Sequence, residues 1–165
     1  GFASKEVLKK SENFRILSGL LWRPYFIIVK PLILFMHVKK FLEWIGLKER
    51  LHSIVHEAPH VSEGEIWWVS IGENVGAEIN GKNYLFSRPA IIFRKLTHGF
   101  YFVIPVTTQL RTGTWYVSFS QQGREMTACL QHARSVDHRR LSTRLGELDE
   151  VDYKRVKNGF QKLYL

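Results

Sequence analysis

The sequence predicts a protein of the α+β class: a small antiparallel β-barrel with a C-terminal helix, preceded by an N-terminal helical extension. Changes in apolar spacing carry this prediction. Apolar residues follow a helical period over residues 38–55 and a strand-like pattern from Glu65 to Val136, and the helical period returns after Asp149. The 165 residues fit one domain with an appendage better than two full domains.

The chain is expected to fall into three parts: an extension of uncertain structure, an N-terminal helix with its linker, and the barrel domain, at residues 1–35, 36–62 and 63–165. Residues 20–36 are strongly apolar, but charged residues and prolines interrupt them well short of the roughly 20 apolar residues that a spanning helix needs. We therefore predict no stable membrane insertion. A membrane anchor at this segment is the rival hypothesis, and detergent-free solubility of the whole chain would argue against it.

The sequence becomes regular directly after Met36, which suggests the hypothesis that Met36 is the natural start. An N-terminal mass measurement on the native protein tests it, since residues found upstream of Met36 would refute it.

The net charge of +9, from 24 basic and 15 acidic side chains, favours polyanionic partners such as RNA, DNA or acidic protein segments. Residues 61–165 hold 14 basic and 10 acidic side chains, so the barrel domain itself carries only +4. Cys129 is the single cysteine, so no intramolecular disulfide can form, which suits a cytoplasmic protein. Its place in an apolar run indicates a small buried hydrophobic residue rather than a nucleophile.

The N-terminal helix is predicted over residues 38–55, and Pro59 ends it. Its apolar stripe consists of Phe41, Trp44, Ile45, Leu47, Leu51, Ile54 and Val55. The following HEAPH segment, residues 56–60, satisfies the zinc-protease pattern H-E-x-x-H. Because Pro59 breaks the helix that would align the two imidazoles, we expect solvated histidines at a helix end and no metal site.

Five segments rich in aromatic and β-branched residues are predicted to be strands, at residues 65–71, 89–93, 100–106, 115–119 and 126–136. The glycine- and asparagine-rich segment 73–83 between the first two is predicted to be a loop. The C-terminal helix is expected to be capped by Asp149 and supported at its start by Glu150 and Asp152. Its apolar face is predicted to consist of Val151, Val156, Phe160 and Leu163.

Three segments carry the candidate chemistry. The glycine-rich loop contains the acidic Glu78, and its glycines would allow close approach to a phosphate, although an ordinary flexible connection has the same composition. Arg88 lies at the mouth of a buried strand, where it could hold a phosphate or pair with Glu78. Thr107, Thr108 and Gln109 place three uncharged hydrogen-bonding side chains at a strand end, which suits a ligand site but is also common where strands terminate.

Taken in order, these segments resemble one family. The run GEIWWV begins at Gly64, Glu78 lies in the glycine-rich loop, RPA begins at Arg88, and IPVTTQ begins at Ile104. The segment 129–146 then shows R-x-x-D-x-x-R-L before the final helix. This combination resembles the PemK/MazF-like toxins of type II toxin–antitoxin systems over residues 64–165. The resemblance implies an SH3-like barrel, a homodimer and metal-independent cleavage of single-stranded RNA, with no cofactor.

Carried over by position, the resemblance implies Arg88, Thr107 and Glu78 as catalytic residues. Those expected to contact the substrate are Asn80, Lys82, Thr108, Gln109, Arg111 and Arg134. Some family members have a histidine where this chain has Ala77, and an arginine and an aspartate where it has Cys129 and Gln131. Catalysis is therefore expected to depend mainly on Arg88 and Thr107.

The expected chemistry is attack by the RNA's own 2′-hydroxyl, which leaves 2′,3′-cyclic phosphate and 5′-hydroxyl ends. Arg88 would neutralise the phosphate, Thr107 would position one of its oxygens, and Glu78 would accept the 2′ proton. The predicted protein partner is a cognate antitoxin with an acidic segment that fills the same groove. The alternative is a barrel of the same fold that binds RNA or protein and has lost catalysis.

Overall fold

The elements of the fold come from a computed structural model, which describes residues 39–55 and 57–165. The N-terminal helix and the C-terminal helix are α1, Phe41–Ser53, and α2, Glu150–Tyr164. The strands are β1, Glu65–Ser70; β2, Ser87–Thr97; β3, Phe100–Thr107; β4, Tyr116–Gln121; β5, Arg124–Cys129; β6, Arg134–Asp137; and β7, Leu141–Glu147. Two single-turn 3₁₀ helices, Leu130–His132 and His138–Arg140, flank β6.

The seven strands form one antiparallel sheet in the order β4-β5-β3-β2-β1-β7, with β6 also paired to β3. The predicted α+β class, with its antiparallel strands and its two flanking helices, is confirmed. The barrel is not closed by a ladder, since β4 and β7 are not paired to each other among the described residues. The side chain of Gln122 spans that gap and donates a hydrogen bond to the carbonyl of Leu145 at 3.4 Å.

The central strands bury side chains on both faces of the sheet. In β2, Ile91 packs into one apolar cluster while its neighbours Ala90 and Ile92 pack into the other. In β3, Ile104 and Val103 divide between the two clusters in the same way. Burial on both faces explains why these strands read as continuous apolar runs rather than as alternating ones.

The prediction of one continuous strand over residues 126–136 is wrong, because two strands, β5 and β6, occupy this segment. Residues up to Cys129 belong to β5, which pairs with the end of β3 at Thr107, whereas β6 pairs with the beginning of β3 at Phe100. The chain must therefore turn between two different partners, and the 3₁₀ helix Leu130–His132 makes that turn. Strand β7, Leu141–Glu147, was not predicted, because its mostly exposed, polar residues resemble a loop.

Helix α1 buries less of its apolar stripe than the sequence predicted. Trp44 and Leu47 are buried and Leu51 is partly buried, and they pack against Phe86 of the barrel. The rest of the stripe is exposed: Phe41, Ile45, Ile54 and Val55. Ile54 and Val55 follow the end of α1 at Ser53, and among the described residues the apolar cluster that α1 joins contains one barrel side chain, Phe86.

The histidine pattern lies beyond the end of α1, which stops at Ser53. His60 is exposed, and His56 lies outside the described residues. Residues 20–36 and Met36 also lie outside them. Among the residues that are described, no helix is long and apolar enough to cross a membrane.

Helix α2 begins as predicted, because the Asp149 carboxylate accepts a hydrogen bond from the amide of Asp152 at 2.7 Å. Val156 is buried, and Phe160 packs its ring against Phe93 at 4.8 Å between centroids. Val151 was expected on this face but is 69% exposed, because at 3.6 residues per turn it lies on the opposite side of α2 from Val156 and Phe160.

Candidate active site

The β1–β2 loop is held closed at its neck by backbone hydrogen bonds. The amide of Gly72 donates to Phe86 at 3.1 Å, and the amide of Gly81 donates to Gly72 at 2.8 Å. A Cβ atom on Gly81 would lie 1.7 Å from the carbonyl oxygen of Phe86, so only glycine fits there. Phe86 itself has a φ of 46°, unusual for a bulky residue. Its burial against Trp44 of α1 stabilises that conformation.

This neck positions Arg88, which follows Phe86 by two residues. The Nε of Arg88 donates a hydrogen bond to the backbone carbonyl of Asn80 at 2.9 Å, which ties the side chain to the far side of the loop. Glu78 forms no ion pair with Arg88 in the described structure. Its carboxylate instead accepts a hydrogen bond from the amide of Val75 at 3.0 Å.

The end of β3 supplies the polar side chains beside Arg88. The Thr107 hydroxyl accepts a hydrogen bond from the amide of Gln109 at 3.2 Å. The Gln109 side chain in turn accepts one from Arg111 at 2.9 Å. This short chain of contacts holds a second guanidinium at the same edge of the sheet.

These residues line one open pocket of about 240 Å³, which we name the arginine pocket. Arg88 reaches it from β2, Thr107 from the end of β3, and Gln109 and Arg111 from the β3–β4 loop. The other lining residues are Ala77, Ile79, Tyr116, Cys129, Gln131 and His132. The pocket thus joins two cationic side chains to several hydrogen-bonding groups, as a phosphate site requires.

A second pocket of about 270 Å³ adjoins the first, because Ile79 and His132 line both. We name it the glutamate pocket, since it contains Glu78, together with Arg134. The Arg134 guanidinium donates to the backbone carbonyl of Ile71 at 3.4 Å. Glu78 is therefore next to the arginine pocket rather than inside it.

Three predicted substrate contacts occupy other positions. Lys82 and Thr108 are exposed and do not line either pocket. Asn80 has a role within its loop, because its side-chain oxygen accepts a hydrogen bond from the amide of Asn74 at 2.6 Å. Its backbone oxygen is the one that orients Arg88.

The electrostatics of the arginine pocket follow from partial burial. Burial lowers the pKa of Arg88, which nevertheless stays protonated at physiological pH. Burial also raises the pKa of the Cys129 thiol, and the nearby charges of Arg88 and Arg111 oppose that rise only in part. Cys129 is buried and free, so it is a neutral thiol rather than a nucleophile.

Two residues of the pocket were not among the site residues predicted from the sequence. Gln131 has a side-chain oxygen that is buried and lacks a hydrogen-bond partner among the described residues. His132 is half-buried and borders both pockets. The signal that could have found them is their place directly after a strand that ends at the site, but the prediction of one long strand hid that turn.

Solved structures of other proteins resemble this chain over about three-fifths of its length. The crystal structure of MazF (form I) from Deinococcus radiodurans is similar, with a TM-score of 0.53 and 23% identity over 64% of this chain and 97% of that one. An endoribonuclease in complex with its cognate antitoxin from Mycobacterial species has a TM-score of 0.50 and 12% identity, over 62% and 93%. At these identities the likeness establishes the fold alone. No curated protein matches the sequence.

The family profile described as "PemK-like, MazF-like toxin of type II toxin-antitoxin system" matches residues 62–164, which is more than half of the chain. The resemblance seen in the sequence motifs is thereby confirmed. The chain belongs to the PemK/MazF-like toxin family of type II toxin–antitoxin systems.

Proposed function

We propose that this protein is the toxin of a type II toxin–antitoxin system and a metal-independent endoribonuclease that cuts single-stranded RNA, including mRNA. The observation that carries the proposal is that Arg88 and Thr107, from two neighbouring strands, line one pocket together with Gln109 and Arg111. Membership of a family of toxins that are endoribonucleases supports it.

The proposed reaction is a transesterification within the RNA. The 2′-oxygen attacks the adjacent phosphorus, the bond from phosphorus to the 5′-oxygen breaks, and the products carry 2′,3′-cyclic phosphate and 5′-hydroxyl ends. Arg88 neutralises the charge that develops on the phosphate, and the Thr107 hydroxyl binds one of its non-bridging oxygens. Because RNA supplies its own nucleophile, the reaction needs no activated water, and DNA is not a substrate.

Of the residues that the structure describes, Glu78 is the one acidic residue that lines the two pockets, and the sequence predicts it as the acceptor of the 2′ proton. It lies in the pocket adjoining Arg88 and Thr107, and the RNA would have to span both pockets. Gln109, Arg111 and Arg134 line that path and are proposed to contact the RNA. Lys82 and Thr108 would contact nucleotides beyond it.

The proposed protein partner is an antitoxin whose acidic segment occupies the same two pockets. Arg88, Arg111 and Arg134 give these pockets a positive surface that an acidic peptide would complement. We also propose a homodimer, which light scattering on the purified protein would detect as twice the mass of 19.3 kDa.

Cleavage of a mixed-sequence single-stranded RNA in excess EDTA tests the proposed function. The parent protein is expected to give discrete fragments with 5′-hydroxyl ends, and Arg88→Ala is expected to lose roughly 10²–10³-fold in rate, the usual cost of removing one group that stabilises transition-state charge. Arg94→Ala is a matched control, because Arg94 is on the same strand but pairs with Glu63 at 3.7 Å and lines neither pocket.

Fragments with 5′-phosphate ends would contradict the transesterification. A folded parent protein that binds RNA or an acidic peptide but gives no fragments would favour the alternative, a binding module without catalysis. That alternative is motivated by three positions, Ala77, Cys129 and Gln131, where some family members have a histidine, an arginine and an aspartate.

A further inference from the structure

His132 lies where the two pockets of the site meet. It ends the 3₁₀ helix Leu130–His132, which makes the turn between β5 and β6. It lines the pocket of Arg88 and Thr107 and also the pocket of Glu78 and Arg134. It is the one histidine lining either pocket among the described residues.

The surroundings of His132 favour its neutral form. Burial lowers the pKa of the imidazole, the positive charge of Arg88 lowers it further, and the negative charge of Glu78 opposes both. A neutral imidazole carries one nitrogen with a free lone pair and can accept a proton at neutral pH. The other titratable groups that line the two pockets around it are Arg111, Arg134, Tyr116 and Cys129.

The neighbouring side chains are poorly suited to the same task. The Arg88 guanidinium remains protonated, and the threonine hydroxyl is not a base. The Cys129 thiol stays protonated because burial raises its pKa. The Glu78 carboxylate already accepts a hydrogen bond within its own loop and lies in the adjoining pocket. His132 is the group that combines a basic atom with a position beside Arg88 and Thr107.

We propose that His132 is the catalytic residue that accepts the 2′-hydroxyl proton of the RNA, with Glu78 as a positioning residue that stabilises the imidazolium formed. This inference rests on the proposed ribonuclease function. The O–H bond of the 2′-hydroxyl breaks, its proton passes to the imidazole nitrogen, and the 2′-oxygen forms its bond to phosphorus. The 5′-oxygen leaves with the electron pair of its bond to phosphorus and takes a proton from solvent water, and the imidazolium returns its proton to the hydroxide so formed.

Single-turnover cleavage of one RNA across the acidic to neutral pH range tests the inference. The variants are His132→Asn and His132→Ala, with His98→Asn as the control, since His98 lies exposed in the β2–β3 turn at the other end of β3. Loss of the general base is expected to slow cleavage by about 10²–10⁴-fold. Affinity for an uncleavable 2′-O-methyl RNA should change little, and added imidazole should restore part of the rate of His132→Ala.

The pH profile separates the roles of His132 and Glu78. The parent rate should fall as pH decreases through an inflection below the ordinary histidine pKa of 6.5, because protonated His132 cannot accept a proton. Glu78→Gln should move that inflection to lower pH, since the carboxylate raises the pKa of His132. His132→Asn should remove it. An NMR titration of His132 in the parent protein should give the same pKa, and this measurement does not depend on whether a variant folds.

Three results would overturn the inference. If His132→Asn cleaves as fast as the parent while Arg88→Ala is inactive, the base lies elsewhere and the proposed function stands. If the inflection persists in His132→Asn and disappears in Glu78→Gln, Glu78 is itself the base. If the parent cleaves no RNA, the proposed function and this inference fail together.

Discussion

At the scale of single residues, Arg88 keeps most of its hydrogen-bond donors available for a ligand. In residues 39–55 and 57–165 no carboxylate forms an ion pair with it, and its one hydrogen bond goes to a backbone carbonyl, that of Asn80. Most of its donors therefore remain for a ligand. Arg139 is the opposite case, because its Nε lies 2.7 Å from the Asp137 carboxylate and its Nη1 donates to the carbonyl of His52 in α1. The first arginine suits binding, whereas the second links two parts of the fold.

The pair of Asp137 and Arg139 leads to a prediction for stability against pH. Hydrogen bonding from Arg139 lowers the pKa of Asp137 from 3.8 to about 2. The folded state therefore binds this proton less readily than the unfolded state, so the stabilisation is fully present above about pH 5 and is lost as pH falls towards 2. After allowance for the exposure of the pair, we expect Asp137→Asn to lower the free energy of unfolding by about 1 kcal/mol at neutral pH.

Urea denaturation at several pH values measures this effect. Asp137→Asn should also flatten the acid limb of the stability curve. Glu125→Gln is the control, because Glu125 is an exposed carboxylate near the start of β5. An acid limb of unchanged steepness in Asp137→Asn would show that other carboxylates cause it.

At the scale of elements, α1 is an addition that bears on the site. It lies outside the residues matched by the family profile, which begin at 62. Trp44 covers Gly72 so closely that a Cβ there would lie 2.6 Å from its ring, and it packs against Phe86 at 5.7 Å between ring centroids. The Arg140 guanidinium lies over the same ring at 5.2 Å. Helix α1 thus supports the neck of the β1–β2 loop, two residues before Arg88 in β2.

Trp44→Ala is expected to lower the free energy of unfolding by about 3 kcal/mol, because it removes a buried aromatic side chain and leaves a cavity. The RNA cleavage rate should fall as well, since the strained backbone of Phe86 loses its support. Leu42→Ala is the matched control on the same helix, where the side chain is 85% exposed, and should change neither quantity. Denaturation curves and the cleavage assay measure the two effects. A destabilised variant with unaltered cleavage would separate α1 from the site.

At the scale of the whole molecule, three arginines lie together where RNA is proposed to bind. Arg88, Arg111 and Arg134 surround the two adjoining pockets. Arg124 is the first residue of β5, at the end of that strand away from the pockets. Binding of RNA phosphates to the first group would release counterions, so affinity should fall as salt rises.

The dependence of RNA affinity on salt tests this arrangement. Arg111→Gln should reduce the slope of log affinity against log salt concentration by about 0.7, the value for one phosphate contact on a single strand. Arg124→Gln makes the same change in net charge away from the pockets and should leave the slope unaltered. Fluorescence anisotropy with uncleavable RNA gives both slopes. Equal changes in the two variants would indicate a general charge effect instead of a defined path.

The sequence by itself determined the fold class, the limits of the helices to within a few residues and the order of the motifs. These features depend on local spacing: apolar runs in β2 and β3, glycines in the loop, and the cap at Asp149. The tertiary structure decided that β5 and β6 are separate strands and that β7 exists, because each depends on a partner far away in the chain.

The site divides in the same way. The motifs predicted Arg88, Thr107 and Glu78 as site residues, whereas only the fold showed that Glu78 lies in the adjoining pocket and that His132 lines both pockets. The position of His132 depends on the turn between β5 and β6, which pair with opposite ends of β3. The spacing of residues along a single strand cannot predict such a turn. Likewise, the sequence predicts Asn80 as a substrate contact. In the structure its side-chain oxygen accepts a hydrogen bond from Asn74, and its backbone oxygen accepts one from Arg88. Residue type is local, but what a side chain faces is set by contacts that are distant in sequence.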